Sequence, residues 1–211
     1  MSSVVLAIAG NIGSGKTTLT TRLSERLHFT PLFEPEADNP YLADFYGDMA
    51  RWALPTQLRF LVSRIAETQH ALSSGASIIC DRTCWEDAEI FAANLHGRGA
   101  MDDRDFETYE LIAHRLLNAV RPPDLLVYLR RPVASCRAQI AGRGRAYEDQ
   151  IPTDYLLDLE ARYDRWFETW KLSEKIFVRA EDHDFLRSDT DLGELTARIT
   201  EALPQRELRF G

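Results

Sequence analysis

Residues 10–17 read Gly10-Asn11-Ile12-Gly13-Ser14-Gly15-Lys16-Thr17, a complete G-x-x-x-x-G-K-[ST] phosphate-binding loop. The apolar run Val4-Val5-Leu6-Ala7-Ile8-Ala9 precedes it, and the helix-forming stretch Thr18–Leu27 follows. A strand feeding a glycine-rich turn that opens a helix is the first unit of a parallel α/β sheet, so the loop constrains the fold and the chemistry together. Its glycines let the backbone wrap around phosphate, while the helix N-terminus turns unpaired N–H groups toward the anion. Gly10 to Thr17, with the adjoining Thr18, therefore form the candidate nucleoside triphosphate site. Lys16 is expected on the β- and γ-phosphates and the Thr17 hydroxyl on Mg²⁺.

A chain of 211 residues suits one α/β domain with a core of useful size, and the expectation is a single domain over residues 1–211. No apolar run nears the ~20 residues that span a bilayer, so no membrane is expected as a partner. The N-terminus has no basic segment ahead of its apolar run, which argues against a signal peptide. The net charge of −8 argues against coating a nucleic acid, whose phosphates demand clustered cations. Three cysteines, Cys80, Cys84 and Cys136, cannot pair completely and show no metal-ligand spacing. Free thiols without an export signal imply a reducing cytoplasm.

Apolar runs alternate with longer stretches of 3.6 period. Strands are expected near 4–9, 30–33, 77–80, 124–129 and 175–179. Helices are expected over 54–74, 84–95, 102–120, 132–142, 152–171 and 192–203. In helix 152–171 the stripe Leu156, Leu159, Tyr163, Trp166 and Trp170 reads as core rather than as a partner-binding face.

Four groups of residues carry chemistry. Strand two runs into Phe33-Glu34-Pro35, which sets Glu34 beyond a carboxyl end, either as a base for an acceptor hydroxyl or as a surface glutamate before proline. Strand three ends in Asp81-Arg82-Thr83. Asp81 there can hold Mg²⁺ and Arg82 can steady the transferred phosphoryl, while Asp81 or Thr83 can also cap the next helix. The cluster Gly142-Arg143-Gly144-Arg145, with Arg137 before it, suggests an arginine lid over residues 137–150, or arginines favouring a helix C-terminus. Finally, Gln57, Leu61 and Arg64 share a helix face, as do Asp87 and Phe91. Arg64, Asp87 and Phe91 can read and stack a base, or can form an ion pair beside a core phenylalanine.

Taken in order, these residues resemble the deoxynucleoside kinase family, in its bacterial deoxyadenosine/deoxycytidine kinase branch, over roughly residues 4–192. The resemblance is carried by Glu34-Pro35, Asp38-Asn39-Pro40-Tyr41-Leu42, Phe45-Tyr46-Gly47-Asp48, Arg51-Trp52, Gln57, Arg64, Asp81-Arg82-Thr83, Glu86-Asp87, Ile90-Phe91-Ala92 and Arg143-Gly144-Arg145 with Glu148. It implies a P-loop kinase fold, a five-stranded parallel sheet flanked by helices with an arginine-bearing lid. It also implies transfer of the ATP γ-phosphate to the 5′-hydroxyl of a deoxynucleoside, with Mg²⁺, in nucleotide salvage.

Within that resemblance Glu34 is the general base, Arg82 holds the hydroxyl, and Thr17 and Asp81 place the metal. Tyr46 and Glu148 bind the 3′-hydroxyl. Gln57, Arg64 and Asp87 read a base stacked on Phe91, and Arg143 and Arg145 clamp the donor phosphates. A homodimer through helices near 84–95 and 102–120 is implied as well. Gln139 stands where relatives carry another lid arginine, and Thr83 stands where serine is commoner.

An Asp acceptor facing an Arg donor suits an amino-bearing base, which orders the acceptors deoxyadenosine, deoxycytidine, deoxyguanosine. The rival is a nucleoside monophosphate kinase of the thymidylate kinase type. That enzyme needs cations for an acceptor phosphate where this chain has Glu34, Glu36 and Asp38. A switch-type nucleotide-binding protein would carry a guanine-reading N-K-x-D stretch, which is missing from the sequence.

Overall fold

The computed structural model describes residues 3–33, 39–144 and 148–203. Five parallel strands, β1 (Val5–Ala9), β2 (Thr30–Leu32), β3 (Ile78–Asp81), β4 (Leu125–Arg130) and β5 (Glu174–Arg179), lie in the order β2-β3-β1-β4-β5. β1 pairs with β3 from Val5↔Ile78 to Ile8↔Asp81, and with β4 from Leu6↔Leu125 to Ala9↔Tyr128. It is buried at every position, which is why it reads as an unbroken apolar run: helices cover both of its faces.

Alternate residues of the strands feed two cores. Ala7, Ala9, Leu126 and Tyr128 face one side. They pack with α3 (Met49–Ser73), α6 (Asp103–Leu117) and α8 (Thr153–Thr169). Leu6, Ile8, Val127 and Leu129 face the other, against α1 (Lys16–Leu27) and α9 (Asp189–Ala202). The α8 stripe of Leu156, Leu159, Tyr163 and Trp166, with Trp170 just beyond, is buried in the first core, as expected. Among the described residues no helix is long and apolar enough to cross a membrane.

Three expectations about helices need correction. The helix expected from 54 starts at Met49, because the Asp48 carboxylate accepts the Arg51 N–H and caps it. Pro55 consequently lies inside α3 rather than at its first turn. The stretch 84–95 is not one regular helix: α4 (Cys84–Glu86) passes into a π turn at Asp87–Ala92 and then α5 (Ala93–Gly97). A short helix not expected at all, α2 (Leu42–Gly47), buries Leu42 and Phe45. Helix α7 (Val133–Arg143) leads to a single 3₁₀ turn, Glu148–Gln150.

Candidate active site

The carboxyl ends of β1 and β3 open on one crevice, where ligands bind in open α/β sheets. The phosphate loop follows β1. Gly13 has φ +76°, and a Cβ there would stand 2.6 Å from the Cys136 carbonyl oxygen, so the loop lies flush against α7. The Asn11 side chain ties the loop to α8 by donating to the Leu156 carbonyl at 2.9 Å, and its oxygen accepts the Ile12 N–H at 2.8 Å. Arg131 Nε donates to the Ser14 carbonyl at 2.9 Å. Lys16 is buried, and its ammonium donates to the Asn11 carbonyl at 2.8 Å.

At the tip of β3, the Thr17 hydroxyl donates to Asp81 Oδ2 at 2.6 Å. Asp81 Oδ1 is buried with no hydrogen-bond partner among the described residues. Arg82 takes φ +80°, left-handed backbone that costs a non-glycine residue ~1–2 kcal/mol and concentrates at functional sites. Its N–H is fixed to the Ile8 carbonyl at 3.0 Å, and its guanidinium lies 4.2 Å over the Phe91 ring. Thr83, not Asp81, caps α4. Its hydroxyl accepts the Glu86 N–H at 3.2 Å, and Glu86 Oε2 accepts the Thr83 N–H at 2.7 Å. Glu86 is fully buried, and burial raises its carboxyl above the usual range against the opposing pull of Arg82 and Lys16.

A cleft opens beside these groups. Its walls include Ile12, Gly13, Lys16, Thr17, Asp81 and Arg82 on the loop side, with Tyr46, Gln57, Asp87 and Phe91 opposite. Arg143 and Glu148 also line it, as an ion pair 3.8 Å apart. Arg64 stands behind this wall. Its Nε donates to Asp87 Oδ2 at 2.7 Å, Nη2 to Oδ1 at 3.3 Å and Nη1 to the Asp81 carbonyl at 3.2 Å. It thereby joins the base-side carboxylate to the metal-side strand tip. Both members of the pair are buried, at 5% and 2% exposure. The π turn spans Asp87 and Phe91, and such turns recur at functional sites.

Glu34 and Arg145 lie outside the described residues. Glu86, Arg131 and Tyr155 were not among the expected site residues, although Arg131 grips the loop and Tyr155 lines the cleft. Thr83-x-x-Glu86 is a capping-box signature, and it was the available signal for Glu86.

The pattern of the deoxynucleoside kinase family matches residues 6–204, nearly the whole chain. The chain belongs to the deoxynucleoside kinase family. It is 31% identical over 201 residues to the deoxyadenosine/deoxycytidine kinase of Bacillus subtilis, covering 94% of this chain and 93% of that protein. It is 32% identical over 209 residues to the deoxyadenosine kinase of Lactobacillus acidophilus, covering 94% and 96%. Among solved structures, deoxyadenosine kinase from M. mycoides with products dCMP and a flexible dCDP bound superposes with a TM-score of 0.84 at 26% identity. That match covers 94% of this chain and all of the other. The fold is thus that of a P-loop kinase, and the protein is a deoxynucleoside kinase acting in nucleotide salvage. As in other kinases, phosphoryl transfer relies on positioning and charge neutralisation rather than covalent chemistry.

Proposed function

We propose that the enzyme transfers the ATP γ-phosphate to the 5′-hydroxyl of deoxyadenosine in preference to deoxycytidine or deoxyguanosine. The observation that carries the base preference is the Asp87 carboxylate on the cleft wall, held by two hydrogen bonds from Arg64. A carboxylate accepts from the amino group of adenine or cytosine, and Gln57, which also lines the cleft, supplies a second donor and acceptor. Thymine would set a carbonyl against the carboxylate, a mismatch that binding sites reject strongly. Phe91 offers one face for base stacking while Arg82 lies over its ring.

In this reading Glu34 accepts the 5′-hydroxyl proton and Arg82 orients that hydroxyl. Tyr46 and Glu148 hold the 3′-hydroxyl. Lys16 leaves the Asn11 carbonyl for the donor phosphates, which Arg143 and Arg145 clamp as a lid over residues 137–150 closes. Mg²⁺ fits the oxygen donors available: the Thr17 hydroxyl and the Asp81 carboxylate, whose Oδ1 is buried without a partner among the described residues. When bound, the ion would neutralise charge on the phosphates. A cytoplasmic homodimer paired through the helical segments near 84–95 and 102–120 completes the reading.

The test is kcat/KM for four deoxynucleosides with ATP and Mg²⁺. Deoxyadenosine is expected to rank first and thymidine last; thymidine ranking first would refute the assignment of Asp87.

A further inference from the structure

We propose that Glu86 is a positioning residue for phosphoryl transfer, its buried carboxylate locking the start of the phosphate loop, the Arg82 turn and helix α8 into one arrangement. A glutamate serving as a helix cap needs one bond, from its side chain to the N-cap N–H. Glu86 makes that bond to Thr83 and accepts two more from elsewhere in the fold. Its Oε1 takes the Tyr163 hydroxyl of α8 at 2.8 Å and the Gly10 N–H of the loop at 3.4 Å. Thr83 is the neighbour of Arg82, and Gly10 is the first residue of the loop that carries Lys16. One carboxylate therefore receives donors from both halves of the active site and from the core helix beneath them.

The surroundings leave this group little freedom. Gly10 has no space beside it: a Cβ would stand 2.6 Å from the Leu129 carbonyl oxygen and 2.7 Å from Ser14 Oγ. Tyr163 is fully buried and stacked on Tyr128, with ring centroids 5.7 Å apart. Burial raises this carboxyl above its usual range, and the fields of Arg82 and Lys16 oppose that rise and favour the charged form. An ionised carboxylate is acceptor-only and suits three donors; an amide of the same size would turn its own N–H₂ toward one of them. The turn must then shift, and displacements of about 1 Å around reacting groups can cost on the order of 10²-fold in rate.

The inference rests on the assignment of Lys16 and Arg82 to the reaction, and wild-type turnover of deoxyadenosine in the same assay separates failure of that assignment from failure of this one. The test compares Glu86→Gln, Tyr163→Phe and the double variant by steady-state kinetics, corrected for the folded fraction by circular dichroism. Ser188→Ala, which removes the distant cap of α9, calibrates a purely structural loss. Glu86→Gln is expected to lower kcat roughly ten- to hundred-fold while both KM values stay within about three-fold, as expected for loss of charge-assisted hydrogen bonds. Tyr163→Phe should lower kcat several-fold, and the double variant should be no slower than Glu86→Gln, because both changes act through one network. Ser188→Ala should lower Tm and leave kcat unchanged. A Glu86→Gln enzyme that loses Tm but keeps kcat within two-fold of wild type would overturn the proposal. If Glu86→Gln does not fold, Tyr163→Phe decides: a several-fold loss of kcat at unchanged KM supports the role, and an unchanged kcat overturns it.

Discussion

Replacing Asp87 with asparagine removes one charge from the buried Arg64–Asp87 pair and changes little else in shape. Arg64 and Asp87 are 5% and 2% exposed, so water cannot substitute for the lost partner. Breaking a buried pair by neutralising one member typically costs ~3–5 kcal/mol, because the remaining charge stays buried without compensation. Arg64 also donates from Nη1 to the Asp81 carbonyl at 3.2 Å, and asparagine keeps one acceptor oxygen toward the guanidinium, which places the expected loss near the lower end, about 3 kcal/mol. Urea unfolding followed by circular dichroism should show the midpoint falling with an unchanged m-value. Arg64→Met should cost a similar amount, and the double variant Arg64→Met/Asp87→Leu should be less destabilised than the sum of its parts, because it leaves no orphaned charge. A loss below about 1 kcal/mol for Asp87→Asn, or strict additivity in the double variant, would refute the account of this pair as a coupled unit.

Gly13→Ala puts a Cβ 2.6 Å from the Cys136 carbonyl and 2.9 Å from Ile140 Cγ1 at a φ of +76°. Left-handed strain of ~1–2 kcal/mol and overpacking of ~1–3 kcal/mol should lower stability by at least about 2 kcal/mol and weaken ATP binding; calorimetry showing an unchanged Tm would contradict the close packing of loop and α7. The Cys80 thiol is pushed up to about 12 by burial. Its folded-state value lies above the unfolded one near 9, so its stabilising contribution is complete below pH 9 and is lost as pH rises toward 12. Between pH 8 and 11 wild type should therefore lose more stability than Cys80→Ala in denaturant titrations, on the order of a few kcal/mol, and parallel pH curves would count against that burial.

Much of this architecture is legible in the sequence because it is encoded locally. The phosphate loop is contiguous, and the strands appear close to their expected positions because β1 and β4 are buried on both faces and so read as apolar runs. Features that depend on distant partners were not legible. The π turn at Asp87–Ala92 leaves no periodic mark in six residues, and α2 is too short to show amphipathic repetition. The helix expected over 54–74 begins earlier, at the Asp48 cap, and so carries Pro55 inside it. The carbonyl that Pro55 leaves without an intrahelical partner belongs to Arg51, which is exposed.

In the site, the residues were legible and their division of labour was not. Arg64 and Asp87 left two readings open in the sequence, a base reader and an ion pair. The structure brings them together as a buried pair with Asp87 on the cleft wall. The Thr83-x-x-Glu86 spacing marks a capping box, but the Glu86 bonds to Gly10 and Tyr163 cross 76 and 77 residues of chain and leave no local mark.

The central claim is that the cleft beside the phosphate loop takes a nucleoside hydroxyl rather than a nucleotide phosphate. The most direct measurement is a coupled assay of ADP release with ATP and Mg²⁺, comparing deoxyadenosine with its 5′-monophosphate. Turnover of deoxyadenosine with little or none of the monophosphate is the expected result. Turnover of the monophosphate alone would contradict the account.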